Sequence, residues 1–449
     1  MPELKRRLRR IDGLAIALGT VIGIGLFRNT GTVLRGTGGF TGATLLWVIG
    51  GVLVLGGAVL YADVSSRVPE AGGPYAFVRV AFGGRAAFAY GWLQAGVVIP
   101  ARQASTATIT GELLAGWFPL SARMLALMVY LTLAALHLFG VRAGAIAQRV
   151  FTTGKLGIIA FVIAMATALG LAGAQPEHAA IAPATFGLAL GGVWYTYLGW
   201  QDTVLLAEEL HEPRRDIPVV LFATVLLTML LFTALHVAVY WGLGGGSEAY
   251  DALPAQHIAR HALGDAGKNV MNALMVASLI GVTAGGLLVR PRFAMALARD
   301  GLGPALLARV SKVGVPYAAL ALQVGIAAAL IATGSFVTLL QLIGFAMGVL
   351  GLFEIASYFV VRRKRPALPT SRFHPWAPMA FFVMSAALCV LSGKDHPEGI
   401  AIAAGILIAI TLIYAVTQPR LIPAEPTPTT PDLPAARARA APSRPDAET

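Results

Sequence analysis

The chain has 449 residues, of which 57% are hydrophobic and only 12% are charged, and its formal net charge is +12. Soluble domains carry about 25% charged residues, so this composition excludes a soluble enzyme and predicts an integral membrane protein in a lipid bilayer. The single cysteine, Cys389, excludes an intrachain disulfide and a thiolate metal cluster.

Twelve apolar segments of membrane-spanning length follow a basic arm at residues 1–12. We therefore predict an all-α membrane protein with twelve spans, and the proline- and alanine-rich composition of residues 420–449 predicts a disordered tail. The predicted spans are 13–34, 42–61, 87–113, 124–140, 150–171, 183–206, 217–241, 269–289, 317–333, 336–361, 376–391 and 399–416.

Basic residues are concentrated on one side of these spans. When loops are assigned alternately to two sides, about 26 of the 34 Lys and Arg residues fall on the side of the N-terminus. The positive-inside rule therefore predicts that both termini are cytoplasmic, and basicity that follows topology does not indicate a nucleic-acid partner. Two clusters dominate that count: Arg290, Arg292, Arg299, Arg309 and Lys312, and Arg362, Arg363, Lys364 and Arg365.

Glycines interrupt the first and the sixth predicted spans. Residues 19–25 contain three glycines, and residues 191–200 contain three glycines and four aromatic residues. Glycine in a membrane helix also serves close packing, but interruptions five helices apart indicate an inverted-repeat transporter with its site at the breaks. The N–H groups of a half-helix start can hold a carboxylate, and unwound carbonyls can hold an ammonium. Such a site suits a zwitterion.

Four motifs in this order resemble the amino acid, polyamine and organocation transporter superfamily, and within it the L-type amino acid transporter branch and its bacterial relatives. The resemblance implies a LeuT-type fold: five helices in residues 13–173, five inverted helices in 183–361, and two helices outside the repeat in 375–417. It also implies a bacterial inner membrane location. The motifs are Gly19 to Phe27, Pro69 to Tyr75, Tyr197 to Pro218, and Arg292 with Ala298 to Gly301.

The resemblance also implies a substrate site at the two breaks. The amides of Ile24 and Gly25 would meet an amino acid carboxylate, and the carbonyl of Val21 with those near Tyr195 and Leu198 would meet its amino group. Tyr195 and Trp200 would act as gates. The predicted substrate-binding residues are Val21, Ile24, Gly25, Tyr195, Leu198 and Gly199.

This chain departs from the family pattern at three places. Many relatives have a serine at Ile24 and a smaller or polar residue at Leu198, so the pocket is more apolar and we expect a neutral, apolar L-amino acid as substrate. The cysteine that some animal relatives use to link a glycoprotein, between the third and fourth spans, is absent. We therefore expect no disulfide-linked heavy subunit, and the sequence leaves the oligomeric state open.

Several polar residues lie inside predicted spans, where an unpaired charge is costly. Lys155 lies six residues past Arg149, about 9 Å into the fifth helix, and either couples transport to protons or snorkels to the cytoplasmic face. In the resembling family, a lysine at this place occupies the site that sodium fills in sodium-coupled relatives. Ser278 and Thr283 of the eighth helix are expected to lie beside that site.

The roles of Arg102 and Glu354 stay open at this point. Arg102 either faces substrate or pairs with Glu112 or Glu354, and Glu354 lies roughly 12 Å inside the tenth helix. Glu208 and Glu209 are expected to form cytoplasmic ion pairs with the basic residues that follow them, beginning at Arg214.

The leading function is secondary active transport of L-amino acids, by proton symport or by exchange. The alternatives are an amino acid sensor that moves nothing, or a polyamine or organic cation exchanger. The sequence has no metalloprotease, serine hydrolase or phosphate-loop motif, so we expect no enzymatic activity, no cofactor, no metal and no direct ATP drive.

Overall fold

A computed structural model of the chain describes residues 6, 8–70, 72–171, 186–333, 336–366, 372–395 and 397–417. Within these ranges the structure is helical, apart from a single β-bridge between Leu8 and Leu210. The predicted all-α class is therefore confirmed. The predicted tail at 420–449 and the residues 172–185 before the sixth helix lie outside the described residues.

Eight α-helices and one π-helical segment form the first part of the described chain. The π segment Gln94–Val98 continues α5 directly into α6. The α-helices are α1 (Arg10–Val21), α2 (Gly25–Thr37), α3 (Phe40–Arg67), α4 (Pro74–Phe82), α5 (Gly84–Leu93), α6 (Ile99–Leu114), α7 (Ala122–His137) and α8 (Val141–Leu171).

Nine further α-helices follow among the described residues, with 3₁₀ helices at Trp200–Leu206, Ser247–Tyr250 and Ala305–Ala308. The α-helices are α9 (Phe186–Tyr197), α10 (Pro213–Gly242), α11 (Pro254–Leu263), α12 (Ala266–Val289), α13 (Pro291–Arg299), α14 (Tyr317–Thr333), α15 (Phe336–Lys364), α16 (Trp376–Asp395) and α17 (Pro397–Thr417).

Several of these helices have the length and hydropathy of membrane spans. Shorter apolar helices, such as Ala122–His137, occupy further predicted segments, and α1 with α2 makes one broken span bent by 48°. The full count of twelve spans stays a prediction. The described helices that are each long and apolar enough to cross a membrane are Phe40–Arg67, Gly144–Gly170, Pro213–Gly242 and Ala266–Arg299.

The fifth predicted span begins earlier than its sequence indicated. α8 begins at Val141, directly after Gly140 with its φ of +128°, so the predicted start at residue 150 was wrong. Two polar residues of its early turns contact the rest of the protein: Gln148 is buried, and the half-exposed Arg149 forms an ion pair with Asp12 at 3.1 Å. Lys155 therefore lies about 21 Å along the helix, not about 9 Å.

The broken first helix lies at the centre of the packing. α1 contacts α8, α10, α12 and the 3₁₀ helix after α9, whereas α2 packs mainly against α9. Gly19 lies so close to Gln148 and Thr152 of α8 that any side chain here would clash with both. The first of the three glycines thus serves close helix packing, and the chain leaves the helix further along, at residues 22–24.

Candidate functional site

The break in the first helix exposes main-chain polar groups. α1 ends at Val21 and α2 begins at Gly25. The N–H groups of Ile24 and Gly25 and the carbonyl oxygen of Val21 have no hydrogen-bond partner among the described residues. A helix start carries partial positive charge and a helix end partial negative charge. The break therefore places anion donors beside a cation acceptor.

Side chains from two other helices hold the broken end of α1. Lys155 Nζ of α8 donates to the Gly19 carbonyl oxygen at 2.5 Å. Ser278 Oγ of α12 donates to the Ile22 carbonyl oxygen at 3.4 Å. Because these donors come from the protein itself, the break is part of the fold and does not require a ligand to form.

The sixth helix breaks against the first. α9 ends at Tyr197, and the chain re-enters a 3₁₀ helix after Gly199, whose φ is +123°. A Cβ on Gly199 would lie 2.8 Å from the carbonyl oxygen of Thr20 and 2.9 Å from its carbonyl carbon. Thr20 Oγ1 also donates to the Gly199 carbonyl oxygen at 3.2 Å. The two interruptions are therefore in direct main-chain contact.

The second half of the first span is tied to the first half of the sixth span. Asn29 Nδ2 of α2 donates to the Gly192 carbonyl oxygen and to Thr196 Oγ1 of α9, both at 2.9 Å. A Cβ on Gly25 would lie 2.8 Å from Thr196 Oγ1, so α2 and α9 approach each other closely where α2 begins. This contact fixes the start of α2 relative to the sixth helix.

A small cavity lies between the two breaks. Its volume is about 40 Å³, room for roughly three water molecules. Five of the predicted substrate-binding residues line it, together with Arg102, whose role the sequence left open. Thr106 of α6, two apolar residues of α12 and Arg290 after α12 complete this wall and were not predicted. The lining residues are Thr20, Val21, Gly23, Ile24, Gly25, Arg102, Thr106, Tyr195, Thr196, Leu198, Leu279, Val282 and Arg290.

Of the two predicted gate residues and Gly199, only Tyr195 lines this cavity. Tyr195 lines the cavity, and its hydroxyl lies 3.5 Å from Ser105 Oγ of α6 on the facing wall. Gly199 is outside the lining and contacts the main chain of Thr20 instead. Trp200 is buried with its ring edge against Tyr61, 4.9 Å between centroids, and does not border the cavity.

Arg290 lies in the turn between α12 and α13, as the predicted end of the eighth span implies, but it is buried. It is 2% exposed, and its Nε and NH2 donate to Asp202 Oδ2 at 3.1 and 3.0 Å. Its NH1 donates to Gln103 Oε1 at 3.1 Å. α12 ends one residue before Arg290, so this arginine belongs to the packed bundle rather than to an exposed loop. An acidic residue within the predicted sixth span, Asp202, was the missed signal.

Arg102 pairs with neither of the partners considered from sequence. Glu112 is exposed, and Glu354 accepts a hydrogen bond from Tyr90. Arg102 instead borders the cavity, and its side chain forms no ion pair with any described residue. Of the two alternatives, the geometry favours a guanidinium that faces the cavity.

Two of the three predicted coupling residues, Lys155 and Ser278, contact the same break. Lys155 is 2% exposed, and Gly281 of α12 leaves the space for it, since a Cβ there would lie 2.7 Å from Lys155 Cε. Thr283 contributes its carbonyl oxygen, which accepts from Gln103 Nε2 at 3.3 Å. Among the described residues no cluster of His, Cys, Asp and Glu could hold a metal ion.

Glu354 forms a separate buried site between α5 and α15. Its Oε1 accepts from the Tyr90 hydroxyl at 2.6 Å, and Gln94 Nε2 in turn donates to that hydroxyl at 3.4 Å. Glu354 is 5% exposed and has no ion-pair partner among the described residues. This carboxyl is therefore held by a hydrogen bond from a neutral donor rather than by an ion pair.

We expect Glu354→Gln to keep the free energy of unfolding within about 1 kcal/mol of wild type, because the amide oxygen still accepts from Tyr90. Glu354→Leu removes that acceptor and should lower stability by about 1–3 kcal/mol. Thermal unfolding in detergent measures both variants. Equal losses for Gln and Leu would show that a charged carboxylate is held here.

The acidic pair after the sixth helix forms long-range ion pairs. Glu209 accepts from Arg292 Nε at 2.7 Å, and Glu208 accepts from Arg299 NH1 at 2.7 Å. These described partners lie in α13, contrary to the expectation of local pairing with residues from Arg214 onward. The pairs instead tie the segment after the sixth helix to α13.

A comparison with known families decides the identity of this fold. The family model described as Amino acid permease matches residues 9–431 of the chain. The chain belongs to the amino acid permease family. The match covers both broken helices and the cavity between them, so the membrane fold is that of a multi-pass transporter family.

Curated relatives of the permease carry transporter names. The large neutral amino acids transporter small subunit 2 of Oryctolagus cuniculus is 26% identical, with 92% of this chain and 80% of the relative covered. The Asc-type amino acid transporter 1 of Mus musculus is 26% identical, covering 91% and 80%. The serine/threonine exchanger SteT of Bacillus subtilis (strain 168) is 24% identical, covering 86% and 92%. The permease thus functions in amino acid transport, and the sensor alternative is not favoured.

Proposed function

We propose that the chain is a sodium-independent amino acid transporter that works by alternating access and holds the main chain of its substrate between the two broken helices. The observation that carries this proposal is the pair of unpartnered main-chain groups at the first break. The N–H groups of Ile24 and Gly25 suit a carboxylate, and the Val21 carbonyl suits an ammonium group. An L-amino acid presents both.

Lys155 supports independence from sodium. Its ammonium group lies between α1, α8 and α12 and donates to the end of α1, where a metal cation would otherwise meet the same carbonyl oxygens. A fixed cation at this place repels a second one. Exchange of one amino acid for another then needs no ion gradient, and the name of the Bacillus subtilis exchanger agrees with this mode.

The location and partners are also part of the proposal. We place the protein in a bacterial plasma membrane with both termini cytoplasmic, because most basic residues fall on that side. The only cysteine, Cys389, lies in α16 and packs against Gly348 of α15. The protein is therefore proposed to work without a disulfide-linked subunit.

The test is a transport assay with purified protein in proteoliposomes. Liposomes loaded with one unlabelled amino acid are exposed to labelled amino acids from the set of twenty, without sodium, with and without an inward pH gradient. We expect uptake that depends on the internal amino acid and persists without sodium. Uptake that requires sodium, or an absence of amino acid movement, would overturn the proposal. Uptake into empty liposomes under the pH gradient would identify proton symport.

A further inference from the structure

The cavity carries an unbalanced positive charge. Two guanidinium groups, of Arg102 and Arg290, border it, and no carboxylate is among its described lining residues. Asp202 lies behind the lining and accepts two hydrogen bonds from Arg290. Two guanidinium groups and one carboxylate therefore lie at this place, and together Arg102, Arg290 and Asp202 carry a net charge of about +1.

Arg102 is the one of these two cations that has no ion-pair partner among the described residues. Gln103, the next residue, is buried and accepts from Arg290, so α6 directs one polar side chain toward the Arg290 pair and the other toward the cavity. Asp202 is within electrostatic range of Arg102 but forms its ion pair with Arg290. An arginine inside a membrane bundle without a carboxylate partner is costly unless an anion reaches it.

The main-chain carboxylate of the substrate already has a proposed place in this cavity. The proposed place for that carboxylate is the start of α2, where the N–H groups of Ile24 and Gly25 are unpartnered. Arg102 approaches the cavity from α6, a different wall. A substrate that satisfies both positions carries a second negative group on its side chain.

We propose that Arg102 selects amino acids with an anionic side chain, of the aspartate and glutamate class. This inference rests on the proposed function and deepens it. It replaces the apolar substrate expected from Ile24 and Leu198, because that expectation left open whether Arg102 faces the substrate, and Arg102 does border the cavity. A guanidinium binds a carboxylate through two parallel hydrogen bonds, whereas the corresponding side-chain amide lacks the charge that balances Arg102.

Matched acid and amide pairs test this proposal. Proteoliposomes loaded with the same unlabelled amino acid take up labelled aspartate, asparagine, glutamate and glutamine through wild type, Arg102→Gln and Arg102→Lys. For wild type we expect the acids to be transported with about tenfold or greater preference over their amides. Arg102→Gln should remove that preference by lowering uptake of the acids while uptake of the amides is kept. Arg102→Lys should retain part of it.

Thr106→Val is the matched control. Thr106 lines the same cavity one helical turn from Arg102, and its substitution changes polarity without changing charge. It should affect each acid and its amide alike. Thermal unfolding in detergent shows that each variant is folded before its transport is compared.

Two results would overturn the proposal while leaving the proposed function intact. One is a wild type that prefers the amides or apolar amino acids. The other is an equal loss of acids and amides in folded Arg102→Gln, which would show that Arg102 meets the main-chain carboxylate. No exchange of any of the twenty amino acids by wild type would instead overturn the proposed function, and this inference with it.

Discussion

Lys155→Ala is expected to lower transport at least about tenfold, in both exchange and net uptake. Lys155 Nζ donates to the Gly19 carbonyl oxygen at the broken end of α1, and the side chain is 2% exposed. Without it, a buried acceptor loses its partner at a cost of about 1–3 kcal/mol, and a void opens between α1, α8 and α12. The break then no longer holds the geometry that the substrate requires.

Two further substitutions separate the charge from the volume of this side chain. Lys155→Met fills similar space without a donor and should fail like alanine. Lys155→Arg keeps a charge but should fail too, because the ammonium end already packs so closely against Gly281 that a Cβ there would lie 3.1 Å from Nζ, and a guanidinium is larger.

The measurement is a pair of proteoliposome assays. Net uptake into empty liposomes is followed under an inward pH gradient, and exchange is followed in liposomes loaded with amino acid. Lys268→Ala is the control, since Lys268 is exposed near the start of the neighbouring α12 and should be neutral. Wild-type levels of both activities in Lys155→Ala would contradict a role at the break, and loss of net uptake alone would assign the lysine to proton coupling.

Gly199→Ala is expected to lower the free energy of unfolding by about 3 kcal/mol and to abolish transport. The φ of +123° is one that residues with side chains rarely adopt, and the new Cβ would lie 2.8 Å from the Thr20 carbonyl oxygen. Both neighbours are main chain, so no side-chain rotation relieves the clash. The two broken helices would have to move apart, and with them the walls of the cavity.

Gly191→Ala provides the matched control within α9. No described atom lies within 4 Å of a Cβ at Gly191, and alanine is favoured over glycine in a helix by about 1 kcal/mol. Its unfolding temperature should equal or exceed that of wild type. If Gly199→Ala unfolds at the same temperature as Gly191→Ala, the contact between the two breaks does not exist in the folded protein.

Local sequence features predicted the broken helices because their causes are local. A run of glycines lowers helix stability where it occurs, and the first helix does stop within the predicted glycine run. The span at Tyr317–Thr333 has the bounds expected from hydropathy, since Pro316 precedes it and apolar residues fill it. Such signals lie within a few residues of the structure that they determine.

Pairings between distant segments could not be predicted in this way. Asp202 and Arg290 are 88 positions apart, and Glu209 and Arg292 are 83 apart, so neither spacing appears in a local pattern. The start of α8 was also predicted too late from hydropathy. Gln148 is polar, so a hydropathy profile cannot distinguish it from a loop residue although it is buried in a helix. The charge balance of the cavity became visible only when these partners were assigned.

The π-helical segment Gln94–Val98 affects how this chain is compared with its relatives. A π turn holds one residue more than an α turn, so Tyr90 and Arg102 keep the relative orientation of an α-helix that is one residue shorter. A homologue with a regular third helix therefore aligns correctly only with a one-residue gap within 94–98. Without that gap, Arg102 is matched to a position rotated by about 100° around the helix, and its counterpart in other permeases is misidentified.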